Sequence, residues 1–318
     1  MAPAPRLRDD VRDFLALMSA RPRPPLCDES IAQMRRIPPE AMAQMMSDIE
    51  APLGDLAVDR TIAMPGPGGA IDLRLFDARA ERSAGPVVVF FHGGGFVTGH
   101  VATHAPLAAE IARGLDLPVV SVGYRLAPEH RWPAAPDDGE AAARWIAVHA
   151  DKLGLAADSL VLCGDSAGGT LALVTALALR ERPAAVPLRM LVALYPQTDS
   201  SRIHPSREAF ADGFGLSRDD MAYFDHAYEA DPVSLRTSPL LADLSGLPPT
   251  VLATAEFDPL RDSGRAFAAK LVDAGVPVAF HEAAGTIHGF ATFRRGIPSA
   301  VDDLARVLAL ARAMGASG

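Results

Sequence analysis

Residues 160–182 read LVLCGDSAGGTLALVTALALRER, and this stretch decides the fold. Leu160-Val161-Leu162-Cys163 is a continuous apolar run, short and followed by glycine, which is the pattern of a strand buried on both faces. Thr170 to Arg182 carries a helical pattern. Between them Gly164-Asp165-Ser166-Ala167-Gly168 matches G-x-S-x-G in a strand-turn-helix setting. Such a turn must be sharp and crowded: glycines two before and two after the serine let neighbouring backbones approach, so Oγ stands clear of the sheet. The helix that starts there aims its free N–H groups at the same place. A Walker-type phosphate loop is excluded, because no Gly-Lys-Ser/Thr follows. Ser166 reads as an activated nucleophile.

Outward from this unit, the chain from Val87 alternates short β-branched runs with longer helical patterns, the mark of crossover units in a parallel sheet. Strands are expected at Val87 to Phe91, Val119 to Val122, Leu160 to Cys163, Leu191 to Tyr195, Val251 to Ala255 and Val276 to Phe280. DDGEAAARWIAVHADKLG reads as a helix with Asp137 and Asp138 as N-cap candidates and Gly154 as its stop. Arg60 to Ala63 and Ile71 to Phe76 flank PGPGG at 65–69, which predicts an antiparallel hairpin at the sheet's edge. The fold class is α/β, with a mostly parallel sheet of about eight strands flanked by helices. Residues 1–50, rich in Met, and 199–236 do not fit the alternation and are the segments large enough to form a lid. The core then divides into 51–198 and 237–318.

Phe91-His92-Gly93-Gly94-Gly95-Phe96 follows the first parallel strand directly. Acyl transfer passes through a tetrahedral oxyanion, and backbone N–H donors fixed around it contribute several kcal/mol. Glycines permit that close approach. The N–H groups of Gly94 and Gly95 are the expected donors, with Gly93 a third candidate and Ala167 the partner from the nucleophile turn. His92 reads as a structural residue bracing the loop.

A serine nucleophile needs a general base, and the base needs a carboxylate. His204, His226, His281 and His288 follow Ser166. His204 and His226 fall in the interrupting segment, and His281 sits at the end of the strand pattern VPVAFHE. His288 lies beyond it, in a glycine-flanked loop read as Ala283 to Phe290, free to reach the sheet's carboxyl edge. For the acid, Asp258 follows the strand Val251 to Ala255 at the end where catalysis gathers in parallel sheets. Pro259 suits the first turn of the next helix. Glu256 and Asp262 are competitors with sufficient bland roles, a loop contact and a first-turn charge.

Composition agrees. In 318 residues, 49% are hydrophobic and 22% charged, far from the disordered range. A formal net charge of -9 with no basic cluster argues against nucleic acid as a partner. Cys27 and Cys163 do not suggest a disulfide framework. Charges interrupt the N-terminus too often for a signal peptide, and no later apolar run is long enough to span a bilayer. A cytoplasmic protein without stable membrane association is the expectation. No H-E-x-x-H, paired-cysteine or dinucleotide motif calls for a metal or organic cofactor.

The set HGGGF, YRLAPEHRWPAAPDD, GDSAGG, TVLATAEFDPLRD and IHGF resembles the hormone-sensitive-lipase-like family of bacterial esterases, in the GDSAG branch. The resemblance spans roughly Val87 to Phe290. It implies the α/β-hydrolase fold, a cap built from the N-terminal helices and the later insertion, the triad Ser166, Asp258 and His288, and a small-molecule ester as substrate. It also implies a homodimer paired through the last strand's edge, Val276 to His281. Phe96, Tyr195, Phe214 and Leu216 are candidates for the acyl pocket. The expected activity is hydrolysis of short to medium acyl esters through an acyl-enzyme. Two alternatives stay open at this point: an amidase or peptidase on the same triad, and a non-catalytic small-molecule-binding protein of the same fold.

Overall fold

A computed structural model describes residues 6–21 and 24–315. Three short helices come first, α1 (Asp9–Ala20), α2 (Asp28–Met34) and α3 (Pro39–Met45). The alternating part then runs β1 (Val58–Gly66), β2 (Gly69–Asp77), β3 (Gly85–Phe91), α4 (Ala105–Leu115), β4 (Val119–Gly123), α5 (Ala134–His149), β5 (Ala157–Asp165), α6 (Ala167–Glu181) and β6 (Leu188–Leu194). Helices α7 (Pro205–Ala209) and α8 (Arg218–Tyr228) interrupt it, and β7 (Thr250–Phe257), α9 (Arg261–Asp273), β8 (Val278–Ile287) and α10 (Ala300–Ala313) complete it.

The eight strands form one sheet in the order β1-β2-β4-β3-β5-β6-β7-β8. β1, β2 and β4 pair antiparallel, while every pairing from β4 through β3 to β8 is parallel. β1 and β2 are the expected edge hairpin, closing at Gly66 and Gly69. The parallel strands are apolar along both faces because helices cover both: Val87, Val89 and Phe91 of β3 face a core shared with α5, α6 and α9, while Val88 and Phe90 face one shared with α4 and α10. Leu160, Val161, Leu162 and Cys163 of β5 are fully buried. Each such leucine or valine contributes roughly 1.5–3 kcal/mol relative to an exposed one.

Three local readings are corrected. α5 starts at Ala134, so neither Asp137 nor Asp138 is its N-cap. Asp138 is instead fully buried and receives two hydrogen bonds from the Arg125 guanidinium at 2.8 Å; a charged pair withdrawn from water outweighs a local cap. β8 runs on to Ile287, so most of the stretch read as a loop before His288 is strand, held by pairing with β7 as far as Phe257↔Ile287. α9 begins at Arg261, two positions beyond Pro259.

The segments outside the alternation lie against this frame. α1 is docked beside β8 and α10: Arg8 pairs with Asp303, its N–H donates to Gly285 O, and the Phe14 and Phe293 rings lie 5.0 Å apart. α8 packs over the glycine loop, where Tyr228 stacks on Phe96 at 4.2 Å, and the Tyr223 hydroxyl reaches Asp28 of α2. Among the described residues, no helix is long and apolar enough to cross a membrane.

Candidate active site

The turn between β5 and α6 holds Ser166 at φ 52° and ψ −121°, a left-handed backbone that a non-glycine residue adopts only under constraint. The constraint is packing. A Cβ at Gly164 would lie 2.2 Å from Gly168 O, and one at Gly168 would lie 2.0 Å from Phe91 O, so both motif positions exclude a side chain. Ser166 N donates to Leu194 O at 2.8 Å, which ties the turn to the neighbouring strand.

His288 emerges directly after β8, turned by Gly289 at φ 80°. Its Nε2 lies 2.8 Å from Ser166 Oγ, and its Nδ1 lies 2.7 Å from Asp258 Oδ2. Asp258 is fully buried after β7, and its other oxygen accepts the Leu260 N–H at 2.7 Å. A carboxylate at Nδ1 keeps the ring proton there and leaves Nε2 to accept from the serine hydroxyl. The competing groups are occupied elsewhere. Glu256 accepts from Gly285 N, Asp262 from Ser206 N and Arg261, His281 faces Asp303, and His204 pairs with Asp199.

The glycine loop is held by its own peptides. Gly93 O lies 2.8 Å from His92 Nδ1, and Gly94 O accepts from Val97 N at 3.0 Å and Thr98 N at 2.8 Å. In a trans peptide the carbonyl and the following N–H point in opposite directions. The amides of Gly94 and Gly95 are therefore turned away from those contacts, and neither has a protein acceptor among the described residues. Ala167 is the first residue of α6, where helix geometry leaves the N–H without an intrahelical partner. Gly93 is different: its N–H donates to Asp165 Oδ1 at 2.9 Å and is not free to be a third donor. Burial, with His104 nearby, pushes the His92 imidazole well below its ordinary pKa, so the ring is neutral and braces the loop through Nδ1. Burial also raises the Asp165 carboxyl, against the opposing pull of His104 and the Gly93 N–H.

A cavity of about 320 Å³ opens beside Ser166 and Ala167. Phe96 and Leu216 form part of its wall. Tyr195 and Phe214 do not. Tyr195 is 1% exposed and packs edge-on against the rings of His288 and Phe290, and Phe214 stacks on Phe257 and meets Phe210 edge-on. Met221, Phe224 and Tyr228, one face of α8, add to the apolar wall, with Ala230, Pro232 and Leu260. Sequence reasoning missed the three on α8, though their spacing in RDDMAYFDHAY is that of a helix face.

A serine, an imidazole and a buried carboxylate in hydrogen-bonded line at the carboxyl ends of parallel strands define a hydrolase of the serine-nucleophile class. A family with the alpha/beta hydrolase fold matches residues 88–292. Esterase LipI of Mycobacterium tuberculosis is 36% identical over 86% of this chain and 88% of its own length. An ethyl acetate hydrolase of Pseudomonas putida is 38% identical over 71% of this chain and 72% of its own length. Among solved structures, a hyperthermophilic esterase from Pyrobaculum calidifontis matches with TM-score 0.87 at 34% identity, covering 98% of this chain and all of that one. The chain belongs to the α/β-hydrolase family and, within it, to the hormone-sensitive-lipase-like bacterial esterases.

Proposed function

We propose that this esterase hydrolyses carboxylic esters of short to medium acyl chains, with Ser166 as nucleophile, His288 as general base and acid, and Asp258 as the group that orients His288. The hydrogen-bonded line from Asp258 through His288 to Ser166 Oγ carries the reading. Ser166 Oγ attacks the ester carbonyl as Nε2 of His288 takes its proton. The oxyanion is held by the N–H groups of Gly94, Gly95 and Ala167, and the alcohol leaves with the proton from His288. Water then repeats the sequence on the acyl-enzyme and frees the acid. A cavity of about 320 Å³ lies at the small end of ligand sites, which favours compact substrates. The relative named for ethyl acetate hydrolysis points the same way.

Residues 1–50 and 199–236 are proposed as the cap, resting on the position of α8 over Phe96 and of α2 beneath Tyr223. β8 ends the sheet with Phe280 exposed on it, which supports a homodimer through that edge. Two unpaired cysteines, one of them exposed, suit a cytoplasmic setting.

The test is a panel of p-nitrophenyl esters from acetate to dodecanoate, run with wild type and Ser166→Ala. Wild type should peak at a short or medium chain and label with a fluorophosphonate, and Ser166→Ala should do neither. Hydrolysis surviving in the variant overturns the assignment.

A further inference from the structure

Resting on the roles given above to Ser166 and the glycine loop, we propose that Asp165 is a positioning residue: its carboxylate holds the oxyanion donors of the 92–95 loop in place against the nucleophile turn. Asp165 directly precedes Ser166, whose backbone is fixed by its hydrogen bond to Leu194 O. β5 and β3 are parallel neighbours with Phe91 opposite Gly164, so the Asp165 side chain needs only to reach one strand over. There Oδ1 accepts the Gly93 N–H at 2.9 Å, and Oδ2 lies 3.7 Å from His104 Nε2. Asp165 is 3% exposed, so water does not compete for that bond.

The peptide between His92 and Gly93 is thereby gripped at both ends. The Tyr124 hydroxyl donates to its carbonyl at 2.6 Å, and Asp165 takes its N–H. With one grip the peptide would be free to rotate about the other. Gly93, Gly94 and Gly95 follow it with no Cβ to limit their dihedrals, so the rotation would pass to the two amides that face the oxyanion. The space at Gly93 shows the same closeness: a Cβ there would lie 2.5 Å from Asp165 Oδ2. A loop that must be glycine to approach the substrate therefore adds to its own hydrogen bonds a grip from outside, which Tyr124 and Asp165 supply. The residue does not touch substrate. What the geometry uses is an acceptor oxygen, which an asparagine side chain also offers.

The experiment compares kcat and KM for p-nitrophenyl butyrate, and affinity for a trifluoromethyl ketone that forms a tetrahedral adduct, in wild type, Asp165→Asn and Asp165→Ala, with melting curves alongside. Loss of an oxyanion donor costs ~100-fold or more in kcat. Asp165→Ala should therefore lose about 100-fold in kcat with KM within about threefold, and lose ketone affinity in parallel. Asp165→Asn should stay within about fivefold of wild type on both. If Asp165→Ala does not fold, Gly93→Ala, which thrusts a methyl at the same carboxylate, should give the same split between kcat and KM. Asp165→Ala keeping kcat within threefold, or a folded Asp165→Asn falling as far as Asp165→Ala, overturns the proposal. Ser166→Ala is run in parallel: residual hydrolysis there would count against the nucleophile and not against Asp165.

Discussion

Nδ1 of His288 stands 2.7 Å from Oδ2 of Asp258, and no solvent reaches that carboxylate. The two residues come from the ends of β7 and β8, which are paired neighbours. The sheet thus brings the carboxylate to the imidazole, and in the proposed mechanism a buried acceptor at Nδ1 would stabilise the imidazolium formed as Ser166 is deprotonated. Asp258→Asn keeps the shape and removes that charge. It should lower kcat by ~10³–10⁴ with little change in KM or melting temperature. Steady-state kinetics on a short ester decides it, and a variant retaining a tenth of wild-type kcat would show that His288 does not depend on Asp258.

Glu50, just beyond α3, is 4% exposed, and its Oε1 has no hydrogen-bond partner. Burial pushes its carboxyl up to about 8, with the Arg294 guanidinium pulling the other way. In the unfolded chain it titrates near ~4.3. Between those values a raised Glu50 keeps in the native state a proton that the unfolded state has released, so its contribution to stability falls as pH rises from about 4.5 and levels off above about 8. The total is on the order of 3–5 kcal/mol. Glu50→Gln cannot ionise and should remove that contribution, matching wild type near pH 4.5 and exceeding it at pH 9. Urea unfolding at the two pH values measures this. Equal slopes in the two proteins would remove Glu50 as the cause.

Phe224 projects from α8 into the cavity wall, so close to the glycine loop that a Cβ on Gly95 would meet its ring at 2.4 Å. Phe224→Ala should lengthen the space for the acyl chain and raise the ratio of kcat/KM for decanoate over butyrate by about tenfold. Parallel loss on both esters would place Phe224 in loop support rather than chain-length selection.

Sequence reading went furthest where the structure is made by near neighbours. The turn around Ser166 is set by glycines two residues away on either side, and the strand and helix that flank it are short-range patterns; all three were legible. It went astray where a distant partner competes for a local group. Asp138 carries the composition of a cap but is claimed by Arg125. The loop expected before His288 is strand because β7 pairs with it. Gly93 stood as a third candidate donor beside Gly94 and Gly95, and its N–H is taken by a residue 72 positions along the chain.

The same division holds for the site. The sequence alone determined the α/β architecture and marked the nucleophile turn, the glycine loop and the candidates Asp258 and His288, because chain order and strand ends limit the choice to few residues. Tertiary structure alone decided that His288 Nε2, 122 residues from Ser166, comes to 2.8 Å of its Oγ. It also placed Tyr195 and Phe214 in aromatic packing away from the cavity, α8 along the cavity wall, and the Asp165 carboxyl on the Gly93 N–H. Periodicity and motif state which face or turn a residue occupies, but which group answers its hydrogen bond depends on contacts that exist only once the strands have paired and the helices have docked.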